Sequence, residues 1–249
     1  MSETVRIALV AEGVTDYEVL RATVESMLDG RSFDIKLLQP EASVAFTGAG
    51  NAGPLGGGWK GVYKWCLLAA ERGGGNLRND PIFAFYDILV LHLDADVAGE
   101  DPVNDPVNPI PELAGVLPCE QPCPPPNATT NRLRQVMLSW IGETQTPPQT
   151  VLCTPSKCIE AWVVAIFFPH DGQMIKKGWE CHPDPVGRLA QQPKASRFAK
   201  RQADYQARNA GIQEGWPRIA NRLTEAKRFQ EEFRAAVSLE RDQIHQELP

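Results

Sequence analysis

No apolar run in the chain approaches the roughly 18 residues that a helix needs to cross a bilayer, so a helical membrane protein is not expected. The opening residues, MSETVRIALVAEG, lack the basic-then-apolar pattern of a secretory signal, because Glu12 interrupts the apolar stretch early. The expected location is therefore the cytoplasm. Positive charge is scarce: 25 Lys and Arg stand against 31 Asp and Glu, a net charge of −6. That balance argues against a protein that coats nucleic acid by bulk electrostatics. It leaves room for an enzyme that meets phosphates through metal ions and a local basic face. No glycine-rich stretch ends in Gly-Lys-Ser/Thr, so the chain should not hydrolyse ATP by itself. Cysteine is limited to Cys66, Cys119, Cys123, Cys153, Cys158 and Cys181, which a cytoplasmic chain is expected to keep as reduced thiols. Cys119 and Cys123 with Cys181-His182 have some zinc-ligand character, against which their loose spacing and neighbouring prolines speak.

What is present is an alternation of short apolar runs and amphipathic stretches, without internal repeats. Val5 to Val10 stops abruptly at Ala11-Glu12-Gly13, as a buried parallel strand feeding a helix does. Thr15 and Glu18 have capping-box spacing, and Val19, Leu20, Val24, Met27 and Leu28 supply a buried stripe for that helix. The chain turns at Gly30, and 33–38 reads as a second strand. Residues 48–61 are glycine-rich, a helix is predicted over 62–71, and Gly73 to Gly75 end it. The most strand-like segment is DILVLHLDAD, closed by Asp94 and Asp96. From Gly99 to Pro126 the many prolines predict a long irregular excursion. Asn127 is placed to cap a helix whose apolar positions include Leu133, Val136, Met137 and Trp140. A fourth strand is predicted over 150–153. Thr154 and Pro155 then open a helix that carries Lys157, Glu160 and Trp162 toward Phe168. Residues 210–247 read as largely helical and strongly charged. The order predicts an α/β fold, a mostly parallel sheet with helices on both faces over 1–168, with inserted loops at about 44–60 and 99–126. A mainly helical C-terminal extension is predicted over 169–249.

In an open parallel sheet, ligands bind beyond the carboxyl ends of the strands, near the point where strand order reverses. Glu12 ends the first strand, and Asp94 and Asp96 end the third. Two acids separated by one residue at a strand end point the same way, because side chains alternate along a strand. If the first and third strands are neighbours, three carboxylates converge. Unneutralised, they would repel or take up protons; a hard divalent cation resolves the conflict, and Mg²⁺ suits a few carboxylates with waters and substrate phosphates.

At this point the motifs resemble a family. Val10-Ala11-Glu12-Gly13-Val14-Thr15-Asp16 resembles the first motif of Toprim domains, particularly of OLD-type prokaryotic proteins, and Leu91-His92-Leu93-Asp94-Ala95-Asp96 resembles their second. Pro155-Ser156-Lys157-Cys158-Ile159-Glu160-Ala161-Trp162 is similar to a Glu-Ala-Trp signature of a bacterial Toprim-like family of the DUF4276 type. The resemblance covers about the first 165 residues and implies a Toprim-like, Rossmann-like fold with Mg²⁺- or Mn²⁺-dependent phosphodiester chemistry. It implies Glu12 as general acid or base near the metal, Asp94 and Asp96 as the metal-holding pair, and Asp16 as a further metal-reaching acid. The 44–81 region is longer and richer in glycine than a minimal Toprim core, and Ala11 stands where Val is commoner.

Lys157 and Glu160, three apart on the predicted helix, share a face; Glu160 would complete the acidic cluster and Lys157 steady transition-state charge, unless they form a surface ion pair. Gly56-Gly57-Gly58-Trp59-Lys60 reads as a flexible insertion sooner than a phosphate cradle. His92 reads as a core histidine. The arginines and lysines from Arg197 to Arg234 alternate with acids, and Trp216, Phe229 and Phe233 imply one packed side. The leading expectation is a Toprim-type nuclease acting on DNA or RNA. By resemblance its partner is an ABC- or AAA-type ATPase in anti-phage defence; homo-oligomerisation is a further option. The alternatives are a non-catalytic regulatory subunit and, less favoured, a nucleotide-sugar transferase that holds its metal with Asp-x-Asp.

Overall fold

The computed structural model describes residues 4–41, 53–199 and 201–247, with side chains described as far as Leu239. Part of the 44–60 insertion, and Lys200, therefore lie outside the described residues. Four strands, β1 (Val5–Val10), β2 (Phe33–Gln39), β3 (Ile88–His92) and β4 (Thr150–Cys153), form one all-parallel sheet in the order β2-β1-β3-β4. The α/β expectation is met, and the first and third strands are neighbours, paired from Ile7 with Ile88 to Val10 with Leu91. The chain leaves β1 toward β2 on one side and returns to β3 on the other, so the order reverses between β1 and β3. Every residue of β3 and β4 is buried, as strands covered on both faces require.

Alternate strand residues feed two cores. Ile7, Leu9, Ile88, Val90 and Val151 pack against helix α1 (Val14–Leu28) and the helices that follow β4. Ala8, Val10, Leu89, Leu91 and Leu152 pack against α2 (Gly58–Arg72) and α3 (Asn127–Trp140). The helices after β4 are α4 (Glu160–Phe167), α5 (Gly172–Lys177), α6 (Pro185–Ala190), α7 (Gln202–Gln206), α8 (Asn209–Ala220) and α9 (Thr224–Glu247). Trp162 of α4 meets Trp216 of α8 edge-on at 5.3 Å and stacks with Phe229 of α9 at 6.0 Å. The C-terminal helices thus complete the same core as the strands. Among the described residues no helix is long and apolar enough to cross a membrane.

Several local expectations are corrected. Gly13, with extended backbone, is the N-cap of α1 and no side chain caps it. Glu18 instead accepts hydrogen bonds from Gln202 Nε2 (2.8 Å) and Asn209 Nδ2 (3.2 Å), so the capping-box residue is a buried anchor for α7 and α8. Helix α2 begins at Gly58, four residues before the predicted start at Val62. Gly61 leaves no room for a Cβ, which would meet Gln39 Nε2 and the Gly56 carbonyl. Asn127 is the first residue of α3 and not its cap. Thr154 and Pro155 do not open a helix either: 154–159 is a loop, and α4 starts at Glu160 with Ile159 before it.

Cys123 and Cys181 form a disulfide with Cα atoms 5.5 Å apart, contrary to the expected reduced thiols. Cys119 is a free thiol, and His182 Nδ1 accepts the Asp184 N–H, so the zinc-like grouping does not assemble.

Candidate metal centre

Because Val10 pairs with Leu91, the two chains leave the sheet level with one another, and Glu12, two residues past Val10, meets Asp94, three past Leu91. The Asp94 N–H donates to Glu12 Oε1 at 2.8 Å. His92 is the last residue of β3, and Asp94 still has extended backbone (φ −68°, ψ 141°), so their side chains share one face of the sheet. His92 Nε2 lies 3.3 Å from Asp94 Oδ1, and Nδ1 lies 4.0 Å from Asp16 Oδ2 in the first turn of α1. Glu12, His92 and Asp94 each offer a ligand atom, and the three atoms lie within 4.8 Å of one another.

The surroundings hold these groups in place. Asp94 Oδ1 accepts the Ile159 N–H at 2.9 Å, just before α4. Gly58 N–H donates to the Glu12 carbonyl at 2.9 Å, which sets the start of α2, and hence the positive end of its dipole, beside the site. Behind Asp94 lies the buried Glu160, whose Oε1 receives the Tyr205 hydroxyl at 3.5 Å.

Burial pushes the Glu12 carboxyl well above the ordinary carboxylate range, and Asp94 and Asp16 push it further; His92 and the Asp94 N–H oppose this less strongly. Asp94 is raised in the same direction, by burial first and then by Asp16, Glu160 and Asp96, with the Ile159 N–H opposing. The Cys158 thiol is also raised, by burial and by Glu160.

The residues fit a divalent cation. Two carboxylates destabilised by burial and by each other gain from a positive charge between them. Both nitrogens of the fully buried His92 ring lack a hydrogen bond, although a buried polar atom ordinarily has one. Ligands on opposite sides of an ion are about 4.2 Å apart when each bond is near 2.1 Å, so small rotations would close the set. One imidazole with two carboxylates suits Mn²⁺ or another borderline metal at least as well as Mg²⁺.

The predicted site residues separate into two groups. Glu12 and Asp94 come together as expected, with Asp16 beside them and Glu160 behind. Asp96 does not join the three-ligand group. The chain leaves the extended conformation at Ala95, where a 3-10 turn (Ala95–Gly99) begins, and the N–H groups of Ala95 and Asp96 bond to the carbonyls of Pro155 and Lys157. Asp96 is exposed in that turn, so the alternation argument for Asp94 and Asp96 fails. Lys157 is not on a helix with Glu160: it sits in the loop with φ 66°, and its Nζ contacts Glu120 Oε1 at 2.5 Å. Lys60 of the glycine-rich stretch reaches Asp105 Oδ2 at 2.5 Å and the Asn108 carbonyl, so it also serves the excursion.

His92, a core histidine by sequence, is a member of the candidate ligand group. Its signal is the i, i+2 spacing to Asp94 at the end of the apolar strand, the same alternation that relates Asp94 to Asp96 in sequence. Comparison of the chain with protein-family models, with curated proteins and with solved structures finds no match.

Proposed function

We propose that the chain is a metal-dependent hydrolase of phosphodiester bonds, a Toprim-type nuclease acting on DNA or RNA with Mg²⁺ or Mn²⁺. One observation carries this reading: Glu12, His92 and Asp94 converge within 4.8 Å at the carboxyl edge of a parallel sheet, where the strand order reverses. A divalent cation there supplies Lewis acidity toward a phosphoryl group and positive charge that favours an ionised nucleophile. The protein's own residues do the rest. Glu12, with its raised carboxyl pKa, is suited to hold or release a proton at Oε2 while Oε1 stays on the Asp94 N–H. The Ile159 N–H orients Asp94, and Asp16 flanks the far nitrogen of His92 as an orienting acid in place of a ligand. The start of α2 favours a phosphate approaching Glu12.

The order of the Glu-Gly and Asp-containing motifs supports the Toprim reading by resemblance. An ABC- or AAA-type ATPase partner and a role in anti-phage defence follow from that resemblance alone. A cytoplasmic setting is part of the reading, and there a Cys123–Cys181 bond has to resist the glutathione pool. A non-catalytic, regulatory subunit is the second reading. It is favoured by the engagement of Lys157, expected to steady transition-state charge, with Glu120 instead. The sugar-transferase alternative loses ground, since it requires Asp94 and Asp96 to act as a pair.

The test is hydrolysis of plasmid, single-stranded DNA and tRNA with Mg²⁺ or Mn²⁺ by wild type, Glu12→Gln and Asp94→Asn. Wild-type cleavage that falls at least about 100-fold in both variants is expected. Equal activity in all three proteins would sink the nuclease reading; Mn²⁺ binding without cleavage would favour the regulatory one.

A further inference from the structure

A cavity of about 650 Å³ opens at the opposite end of α4 from Glu160 and shares no residue with the metal centre. Its volume lies in the range of small-molecule sites, about 300–1,000 Å³. Ala165, Ile219 and Leu223 give it an apolar floor, and Trp179 and Ile175 form a wall. Arg218, Arg222 and His170 also line it, and among the described residues no carboxylate does.

Arg218 lies in the last turn of α8 and Arg222 in the turn just beyond the helix end. Arg218 Nη2 donates to the Ile166 carbonyl at 2.7 Å, which fixes the guanidinium and leaves its other donors for a ligand. Among the described residues neither arginine has a carboxylate partner, in a chain whose acids outnumber its bases. Two like charges that line one cavity repel. The helix dipole accounts for basic residues at a helix C-terminus, but not for their lining a cavity with tryptophan and no acid. An indole wall suits a planar ring, and a guanidinium fork suits phosphate oxygens.

We propose that this cavity binds a nucleotide, with its base against Trp179 and its phosphate between Arg218 and Arg222. The ligand is either a free mononucleotide or the terminal nucleotide of a nucleic-acid strand, which present the same chemistry. The site stands or falls independently of the nuclease reading.

Binding of AMP, GMP, CMP and UMP, and of a 5′-phosphorylated octathymidylate, is measured by calorimetry in chelator so that the metal centre is silent. The proteins are wild type, Arg222→Glu, Arg222→Gln, Trp179→Ala and, as control, Glu12→Gln, each checked for folding by circular dichroism. Expected is wild-type binding of at least one probe that weakens tenfold or more in the Arg222 and Trp179 variants and is unchanged in Glu12→Gln. Tighter binding of a mononucleotide identifies the free nucleotide as the source, and tighter binding of the oligonucleotide identifies the strand end. The proposal is overturned if no probe binds wild type or if folded Arg222 variants bind as wild type does. It is equally overturned if inorganic phosphate binds as tightly as the nucleotides and Trp179→Ala has no effect.

Discussion

Glu12 and Asp94 face each other across a partly buried space, and burial raises the pKa of both carboxyl groups. A cation between them turns mutual repulsion into attraction, while His92 adds a nitrogen donor that water cannot readily reach. These residues should therefore be separable from Asp96, whose side chain is exposed in the 3-10 turn. In a calorimetric titration with Mn²⁺, His92→Ala is expected to weaken binding by at least about tenfold. Asp96→Asn should stay within about twofold, the loss of one exposed, screened charge. Equal losses in the two variants would return Asp96 to the ligand set and remove His92 from it.

At the scale of elements, the site depends on helices that touch none of its ligands. Glu18 of α1 holds α7 and α8 through Gln202 and Asn209, and Tyr205 of α7 reaches Glu160 behind Asp94. Glu18→Ala leaves two half-buried amides short of a charged acceptor and should cost about 1–3 kcal/mol in urea unfolding; a loss below about 0.5 kcal/mol would mean that water replaces the carboxylate. The 99–126 excursion is tied to α2 through Lys60 and Asp105. The Lys60 hydrogen bond, helped by the N–H groups of Asn108 and Val107, lowers the Asp105 pKa to about 2. The unfolded value is about 3.9, so the folded value is depressed. The tie is fully present above the unfolded value and is lost as pH falls through the folded one. Amide exchange over 101–110, corrected for its intrinsic pH dependence, should stay slow down to about pH 3 and quicken toward pH 2. Asp105→Asn should already exchange faster at neutral pH. A wild-type profile flat to pH 2 would show that Lys60 contributes nothing to holding the excursion.

Across the whole molecule, the Cys123–Cys181 bond joins the excursion to the segment before α6, across 58 residues of sequence. By the chain-entropy relation a loop of that length stabilises by about 4 kcal/mol. Dithiothreitol, or Cys123→Ser, is expected to lower the urea unfolding midpoint accordingly. The same midpoint with and without reductant would mean that the bond does not form in solution, in line with the reduced thiols expected of a cytoplasmic chain.

Much of this architecture was legible from local pattern. The apolar runs of β1, β3 and β4 and the stripe Val19, Leu20, Val24 of α1 encode burial directly, because period two and period 3.6 are properties of the backbone itself. Strand-end acids at Glu12 and Asp94 were visible for the same reason, once β1 and β3 were neighbours. Other features depended on contacts between distant segments. Where β3 ends was decided by the carbonyls of Pro155 and Lys157, more than 55 residues away, which draw Ala95 and Asp96 into a turn and leave His92 as the partner of Asp94. The fates of Lys157, Lys60 and Glu18 were decided likewise, by Glu120, Asp105 and the pair Gln202 and Asn209. Periodicity records which face a residue takes, but a charged side chain pairs with whatever the packed chain brings within about 3 Å of it, and only the tertiary structure selects that partner.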